Sequence, residues 1–313
     1  MQNIIKQLTK LGERQGKKAD MALDFLVSKL NNNGVRYKLI QYNSFLPEWI
    51  GYNLYADNKE IECLPTGLIS GKIPDKSAII SSLVSSRYFL ETPHINFNPR
   101  CGKISKANFS FAPSVAICKK DLQKIVNAKN VSGSIDVRKV KTKTRQLLVG
   151  NQKNPTNIIF SHYDSVMKGA VDNASGTAIM LDTVMSDASV LQNNLFVFDG
   201  NEEVSFDKPI YWGRGYRNFE KKYKKILDTC KKIVVIDCVG VSKTITTNSK
   251  DIIKLAFPLK NSSLYGKKVT LVTSDYDNLM AVYHSDLDIS PRIQNEYLLE
   301  AQGILIKLIS NCK

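Results

Sequence analysis

Residues 157–161 (NIIFS), 195–199 (LFVFD) and 233–237 (IVVID) are short, mostly apolar runs, and they constrain the fold of this chain more than any other feature. A run of this length without polar alternation suits a parallel strand covered on both faces. The first run leads into His162 and Asp164, the second passes through Asp199-Gly200-Asn201 to Glu202-Glu203, and the third ends on Asp237. In open α/β sheets the crevice beyond the carboxyl ends of the strands is where ligands bind, so these groups should converge at one sheet edge. The expected fold is α/β, a mixed, mostly parallel central sheet flanked by helices.

Around that sheet the alternation of patterns breaks once. Residues 18–32 read as a helix stopped at Asn33-Gly34, followed by a strand over 36–43. From 44 to 130 the chain turns to short β-like pieces such as AIISSLV and FAPSVAICK. Turn residues at Pro65, Gly67, Gly71, Pro74, Pro93 and Pro99 punctuate this stretch, and its one clear helix lies near 121–128. We expect a smaller β-rich domain over 44–130, inserted into a main domain made of 1–43 and 131–313. Strand-like GSIDVRKV and TRQLLVGN lead back to the main sheet, and a final helix is expected over 292–310.

At 313 residues, 43% hydrophobic and 23% charged, the composition is that of an ordinary globular enzyme. Residues 1–10 read as polar and alternating, without the apolar core of a signal peptide, and no run is long enough to span a bilayer, so a cytoplasmic protein is expected. The formal charge of +15 would suit a polyanion. Its densest basic stretch, 214–232, instead spaces Phe219, Tyr223, Ile226 and Leu227 as one face of a solvated helix. No nucleic-acid-binding motif accompanies it, so neither specific nucleic-acid binding nor membrane binding is expected. Six scattered cysteines form no CxxC pair; isolated thiols are expected, one disulfide is left open, and so is homo-oligomer formation.

In this order and setting, His162, Asp164, Asp172, Glu202, Glu203, Asp237 and His284 can hold two divalent metals and supply a base. A carboxylate two residues after a histidine can accept its second ring N–H, as Asp164 would from His162; a turn with a structural Asp is the other reading of that pair. Asp172 opens DNASGTAIMLD, where an anionic side chain suits a helix start and small residues allow close backbone approach, although a plain N-cap uses Asp as well. Two adjacent carboxylates at a strand end point in unlike directions, so one of Glu202 and Glu203 can ligate while the other faces a water. Asp237 follows four aliphatic residues, where an unpaired charge would cost several kcal/mol and therefore calls for a cation. His284 lies in AVYHSDLD ahead of the last helix, and His94 stands in ETPHINF without carboxylates nearby and reads as structural.

The motifs His162-Tyr163-Asp164, Gly169 to Gly176, Gly200-Asn201-Glu202-Glu203, Ile236-Asp237-Cys238-Val239-Gly240 and Ser274-Asp275 ahead of Tyr283-His284 together resemble the co-catalytic zinc aminopeptidases, family twenty-eight of the metallopeptidases. The resemblance implies that Asp172 bridges two zinc ions, with Glu203 and His284 completing one site and His162 and Asp237 the other. It further implies that Glu202 is the general base, that Asp164 supports His162, that the Asp172-Asn173 peptide is cis, and that short peptides are the substrates. Co²⁺ and Mn²⁺ also fit such a mixed donor set. By its position and β-rich character, 44–130 is similar to a protease-associated domain. Two departures bear on the substrate: Glu203 is followed by Val204-Ser205-Phe206-Asp207-Lys208-Pro209 rather than a glycine-rich continuation, and only eight residues separate Asp275 from His284. Three alternatives stay open: a single-zinc glutaminyl-cyclase-like acyltransferase, a carboxypeptidase for acidic termini, and a non-catalytic relative.

Overall fold

The computed structural model describes residues 1–83, 91–208 and 210–310; Val84, Pro209 and Cys312, which the sequence reading touches, lie outside them. In chain order the described elements begin with α1 (Gln2–Lys10), α2 (Lys17–Asn32), β1 (Tyr37–Ala56), β2 (Lys59–Glu60), β3 (Cys63–Pro65), β4 (Gly71–Ile73), β5 (Ile79–Ser81), β6 (His94–Phe97), β7 (Ser114–Ile117) and α3 (Leu122–Asn127). They continue with β8 (Val131–Gly150), β9 (Asn157–His162), α4 (Ser175–Ser186), β10 (Asn194–Asp199), α5 (Arg214–Thr229), β11 (Lys232–Ile236) and β12 (Thr244–Thr247). The last are α6 (Lys250–Ala256), α7 (Ser262–Tyr265), β13 (Val269–Ser274), α8 (Tyr276–Met280) and α9 (Asn295–Ser310).

The main sheet runs in the order β12-β13-β11-β9-β10-β8-β1-β2, with β4 also paired to β8. Its centre, β13, β11, β9 and β10, is parallel. Antiparallel strands flank that centre: β12 on one side, β8 and β1 on the other. This is the expected mixed α/β sheet flanked by helices. The apolar runs lack alternation because both faces are covered. Ile159, Phe196, Phe198, Val234 and Ile236 pack toward α1, α2, α4 and α9, while Ile158, Phe160, Leu195, Val197, Ile233 and Val235 pack toward α5 and its neighbours. At about 1.5–3 kcal/mol for each large side chain fully buried, these two layers are the dominant source of rigidity beneath the strand ends.

Residues 1–10 differ from their reading as a polar alternating stretch. They form α1, because Ile4, Ile5 and Leu8 stand at i, i+1 and i+4 and are buried together on one helix face. The basic stretch 214–232 does form an amphipathic helix, α5, with Tyr216, Phe219, Ile226 and Leu227 buried.

A second sheet, β3-β7-β6-β5, lies wholly within 44–130. It shares an apolar cluster with α3 and with Leu54, Ala56 and Val131, near the far ends of β1 and β8. Those two strands are 20 residues long and pair antiparallel along their length, with a register shift between Trp49 and Gly51. Residue 43, the expected domain edge, is thus inside β1, and residue 131 opens β8. The division at those edges stands as our proposal for the organisation of the chain.

Among the described residues, no helix is long and apolar enough to cross a membrane. The five described cysteines are free and buried.

Candidate metal centre

Three neighbouring parallel strands deliver the site. In the β10-β9 ladder Asp199 is paired with His162, and in the β11-β9 ladder Val235 is paired with Phe160, so His162, Glu202-Glu203 and Asp237 emerge at one edge. Asp172 arrives from the turn that enters α4, where the Asp172-Asn173 peptide is cis, as expected. Asn173 fastens that turn to the strands: its amide donates to Ser161 Oγ (3.0 Å) and to the Ile236 carbonyl (2.9 Å), and its Oδ1 accepts the Gly176 N–H (3.0 Å). A side chain at Gly176 would meet Asn173 Oδ1, the Ile236 carbonyl and Ser161 Oγ within 2.7 Å, which is why the helix opens on small residues.

The five candidate ligands form one chain of contacts. His162 Nε2 lies 3.1 Å from Asp172 Oδ1 and 3.3 Å from Asp237 Oδ1. His284 Nε2 lies 3.1 Å from Asp172 Oδ2 and 2.9 Å from Glu203 Oε2. The two oxygens of Asp172 therefore face two different histidines, each accompanied by one further carboxylate. Both rings turn Nδ1 to a backbone carbonyl, His162 to that of Asp164 and His284 to that of Lys106, each at 3.2 Å. This directs both Nε2 atoms at the carboxylates. Among the described residues His284 Nε2 is buried without a hydrogen-bond partner, despite two oxygens at contact distance. A ring nitrogen aimed between carboxylate oxygens, rather than at either, fits a cation between them. Cys238 adds a thiol 3.3 Å from Asp237 Oδ1, and Asp172, Asp237 and Cys238 are mutually close enough to share an ion, as are His162, Asp172 and Glu203.

The electrostatics carry the same message. Burial opposes charging His162, but contacts with Asp164, Asp172 and Asp237 outweigh it and hold the ring well above its ordinary range. At His284, Glu203 and Asp172 do the same against burial. Burial alone would raise Asp172, yet the two histidines hold it below the usual carboxylate range. Burial pushes Glu203 up to about 7, with Asp172 adding, and pushes Glu202 well up, with His162 pulling back. A field that draws positive charge this strongly into a buried site is one in which a divalent cation would offset several kcal/mol of desolvation.

Asp164 stands beside His162 and does more besides. Its carboxylate is 3.6 Å from His162 Nδ1, while it accepts the backbone N–H of Glu202 (Oδ1, 3.1 Å) and of Glu203 (Oδ2, 3.1 Å). It is the fixture on which the Glu202-Glu203 pair is mounted. The sequence reading missed three other residues. Asp288 accepts the N–H of Val171 (2.6 Å) and of Asp172 (3.1 Å). Lys106, from the inserted stretch, brackets His284 by donating to its carbonyl (2.9 Å) and accepting its Nδ1. Arg14 holds the loop after His162. Asp288 stood in the quoted AVYHSDLD segment and could have been found there. Nothing in a lone lysine or a lone arginine signals such contacts. His94, read as structural, sits in β6 with Nδ1 2.8 Å from the Thr92 carbonyl, away from this cluster.

Asp199 lies beneath the centre and is fully buried. Oδ1 accepts from Gln146 (2.7 Å) and from the Gly200 N–H (3.0 Å), while Oδ2 has no partner among the described residues. Burial pushes it from 3.8 up to about 8. Between those values the folded protein holds a proton that the unfolded chain has lost, so stability falls as pH rises through the window, by at most about 1.4 kcal/mol per pH unit. Asp199→Asn should remove that slope. In metal-free protein, the difference in urea stability between variant and wild type should grow from pH 5 to pH 8; a difference that stays flat would remove Asp199 as its source.

The fold around this centre is that of the zinc aminopeptidases. Residues 146–248 match the model of Peptidase family M28. Among solved structures, a zinc aminopeptidase from Bacillus subtilis superposes with a TM-score of 0.67 at 18% identity, covering 97% of this chain and 92% of that one. The aminopeptidase from Aneurinibacillus sp. strain AM-1 superposes with a TM-score of 0.65 at 14% identity, covering 98% and 92%. A glutaminyl cyclase from Porphyromonas gingivalis has a TM-score of 0.52 at 10% identity, covering 99% and 96%. A comparison with curated proteins finds no match. At such identities the likeness to solved structures is one of fold. The resemblance to family twenty-eight thus holds in sequence over 146–248 and in fold over nearly the whole chain.

Proposed function

We propose that this chain is a metal-dependent exopeptidase, an aminopeptidase that hydrolyses the N-terminal peptide bond of short peptides at a two-zinc centre with Glu202 as general base. The observation that carries the reading is Asp172, whose two oxygens face His162 on one side and His284 on the other. Asp172, His162 and Asp237 would hold one ion, and Asp172, His284 and Glu203 the second. Bound zinc supplies Lewis-acid polarisation and makes water a nucleophile near neutral pH.

The protein's own groups do the rest. Glu203 is committed to His284, so the neighbouring Glu202 is left to take the proton of the attacking water and return it to the leaving amine. Asp164 keeps that carboxylate in place through the backbone. Asp237, with 14% of its side chain exposed, is the open flank of an otherwise buried set, on the side from which a terminal amine would enter. On the side of His284 the connection from β13 is short, and the inserted stretch fills in for it. Trp49 stacks on Phe109, and Phe109 meets Tyr211 edge to face, joining the long hairpin and the insert to the segment that follows Glu203. We assign that apolar contact a part in limiting peptide size. The five described cysteines, free and buried, support a cytoplasmic location.

Metal content is the deciding experiment. After equilibration with zinc and removal of excess, elemental analysis should find two ions per chain, and the loaded protein should cleave free peptides but not N-acetylated ones. One ion per chain would shift the assignment to the glutaminyl-cyclase-like acyltransferase, a reading that the shared fold favours as the second choice. No bound ion would mean a non-catalytic scaffold.

A further inference from the structure

Residues 13–15 lie in the short connection between α1 and α2, far in sequence from every candidate ligand, yet each of their side chains ends on a segment that carries or touches one. Glu13 pairs with Lys106 Nζ (3.2 Å), and the backbone of Lys106 grips His284 on both sides. Gln15 donates to Asp164 Oδ2 (3.3 Å) and to the Ser165 carbonyl (3.3 Å), and Asp164 carries Glu202 and Glu203. Arg14 lies between them and is fully buried. Its guanidinium donates to the carbonyls of Tyr163 (2.7 Å), Lys168 (2.7 Å) and Gly169 (3.0 Å), and its backbone N–H donates to Ser165 Oγ (3.2 Å).

Those three carbonyls mark the first and last residues of the loop that starts beside His162 and ends three residues before Asp172. Holding both ends of the loop on one rigid, planar group fixes the spacing between the two ligands. A lysine could not do this, since its single ammonium cannot span three diverging carbonyls. Among the described residues no carboxylate contacts the buried guanidinium, which is costly, and a loop free to take several shapes would not require it.

We propose that Glu13-Arg14-Gln15 is a positioning strap for the metal centre, with Arg14 its principal member, and that it sets how tightly the centre holds metal. The proposal rests on the metal-dependent reading above. Its test is made on the purified full chain by titrating zinc against a chromophoric chelator, and by recording the visible absorption of the cobalt-loaded protein. Arg14→Lys should weaken metal binding by roughly 10- to 100-fold, the range for groups that orient ligands, and should alter the cobalt bands. The far-ultraviolet circular dichroism of the metal-free protein should stay unchanged. A purely structural role would instead lower the stability of the metal-free protein and leave the cobalt bands of the folded fraction as in wild type. If Arg14→Lys does not fold, Gln15→Leu decides, with a smaller loss of affinity and a changed cobalt spectrum expected. Wild type that binds no metal would sink the functional reading itself. Wild type that binds metal, beside a folded variant with equal affinity and unaltered bands, would overturn the strap alone.

Discussion

Glu202→Ala should lower turnover of a peptide substrate by roughly 10²- to 10⁴-fold, the usual contribution of a general base, while the metal content of the protein stays at the wild-type level. That is about 2.7–5.5 kcal/mol of transition-state stabilisation. The dissociation between activity and metal content is the informative part. Glu203, one residue away, is 2.9 Å from His284, and its loss should empty a site. Burial pushes the carboxyl group of Glu202 well up in the metal-free site, and bound cations would draw it back toward the ionised state that a general base needs. Its backbone N–H is tied to Asp164, so shortening the side chain removes the acid–base group without disturbing the mount. Steady-state rates and elemental analysis on the same preparation settle the matter. Activity within tenfold of wild type would mean that another group moves the proton.

How much of this could be read from the sequence follows from which interactions are local. The strands β9, β10 and β11 were legible because burial on both faces forces unbroken apolar runs, and the groups that follow those runs had to meet at one edge. Asp172 was legible from the helix start and from the small residues that a Cβ at Gly176 would not allow to pack so closely. The bounds of α2 and α9 came close to expectation because capping and periodicity are short-range signals.

The long hairpin was legible only in part: the strand-like GSIDVRKV and TRQLLVGN fall in β8, but β1 runs on to Ala56, and the outer halves are stabilised by pairing with each other across a long sequence separation. Helix α1 was misread because four apolar residues in ten look sparse until Ile4, Ile5 and Leu8 are placed on one face. Arg14 and Lys106 lay beyond reach for a related reason, whereas Asp288 stood within AVYHSDLD. The first two act through backbone groups of distant segments, and a backbone carbonyl leaves no mark on the sequence of its partner.

Asp172→Ala should have the largest effect on the centre, because it takes one oxygen from each histidine at once. We expect the metal content to fall from two ions per chain to one or fewer and activity to become undetectable. The loss should also appear in stability. A ligand that binds only the folded state adds RT ln(1 + [L]/Kd), about 4 kcal/mol when free metal is a thousandfold above Kd. Zinc should therefore raise the Tm of wild type by several degrees and leave that of the variant nearly unmoved. Without metal the gap between the two proteins narrows. Asp172 is then an acid buried with Glu203 as well as with the two histidines, and removing it relieves the repulsion that helps push Glu203 up to about 7. The metal-free variant should accordingly be destabilised less than the loss of a paired, buried carboxylate alone would give, about 3–5 kcal/mol. Scanning calorimetry of both proteins with and without zinc separates these effects. A wild-type Tm that ignores zinc would rule out a centre held together by Asp172, whereas a zinc-dependent Tm that survives in the variant would move the bridge to another residue.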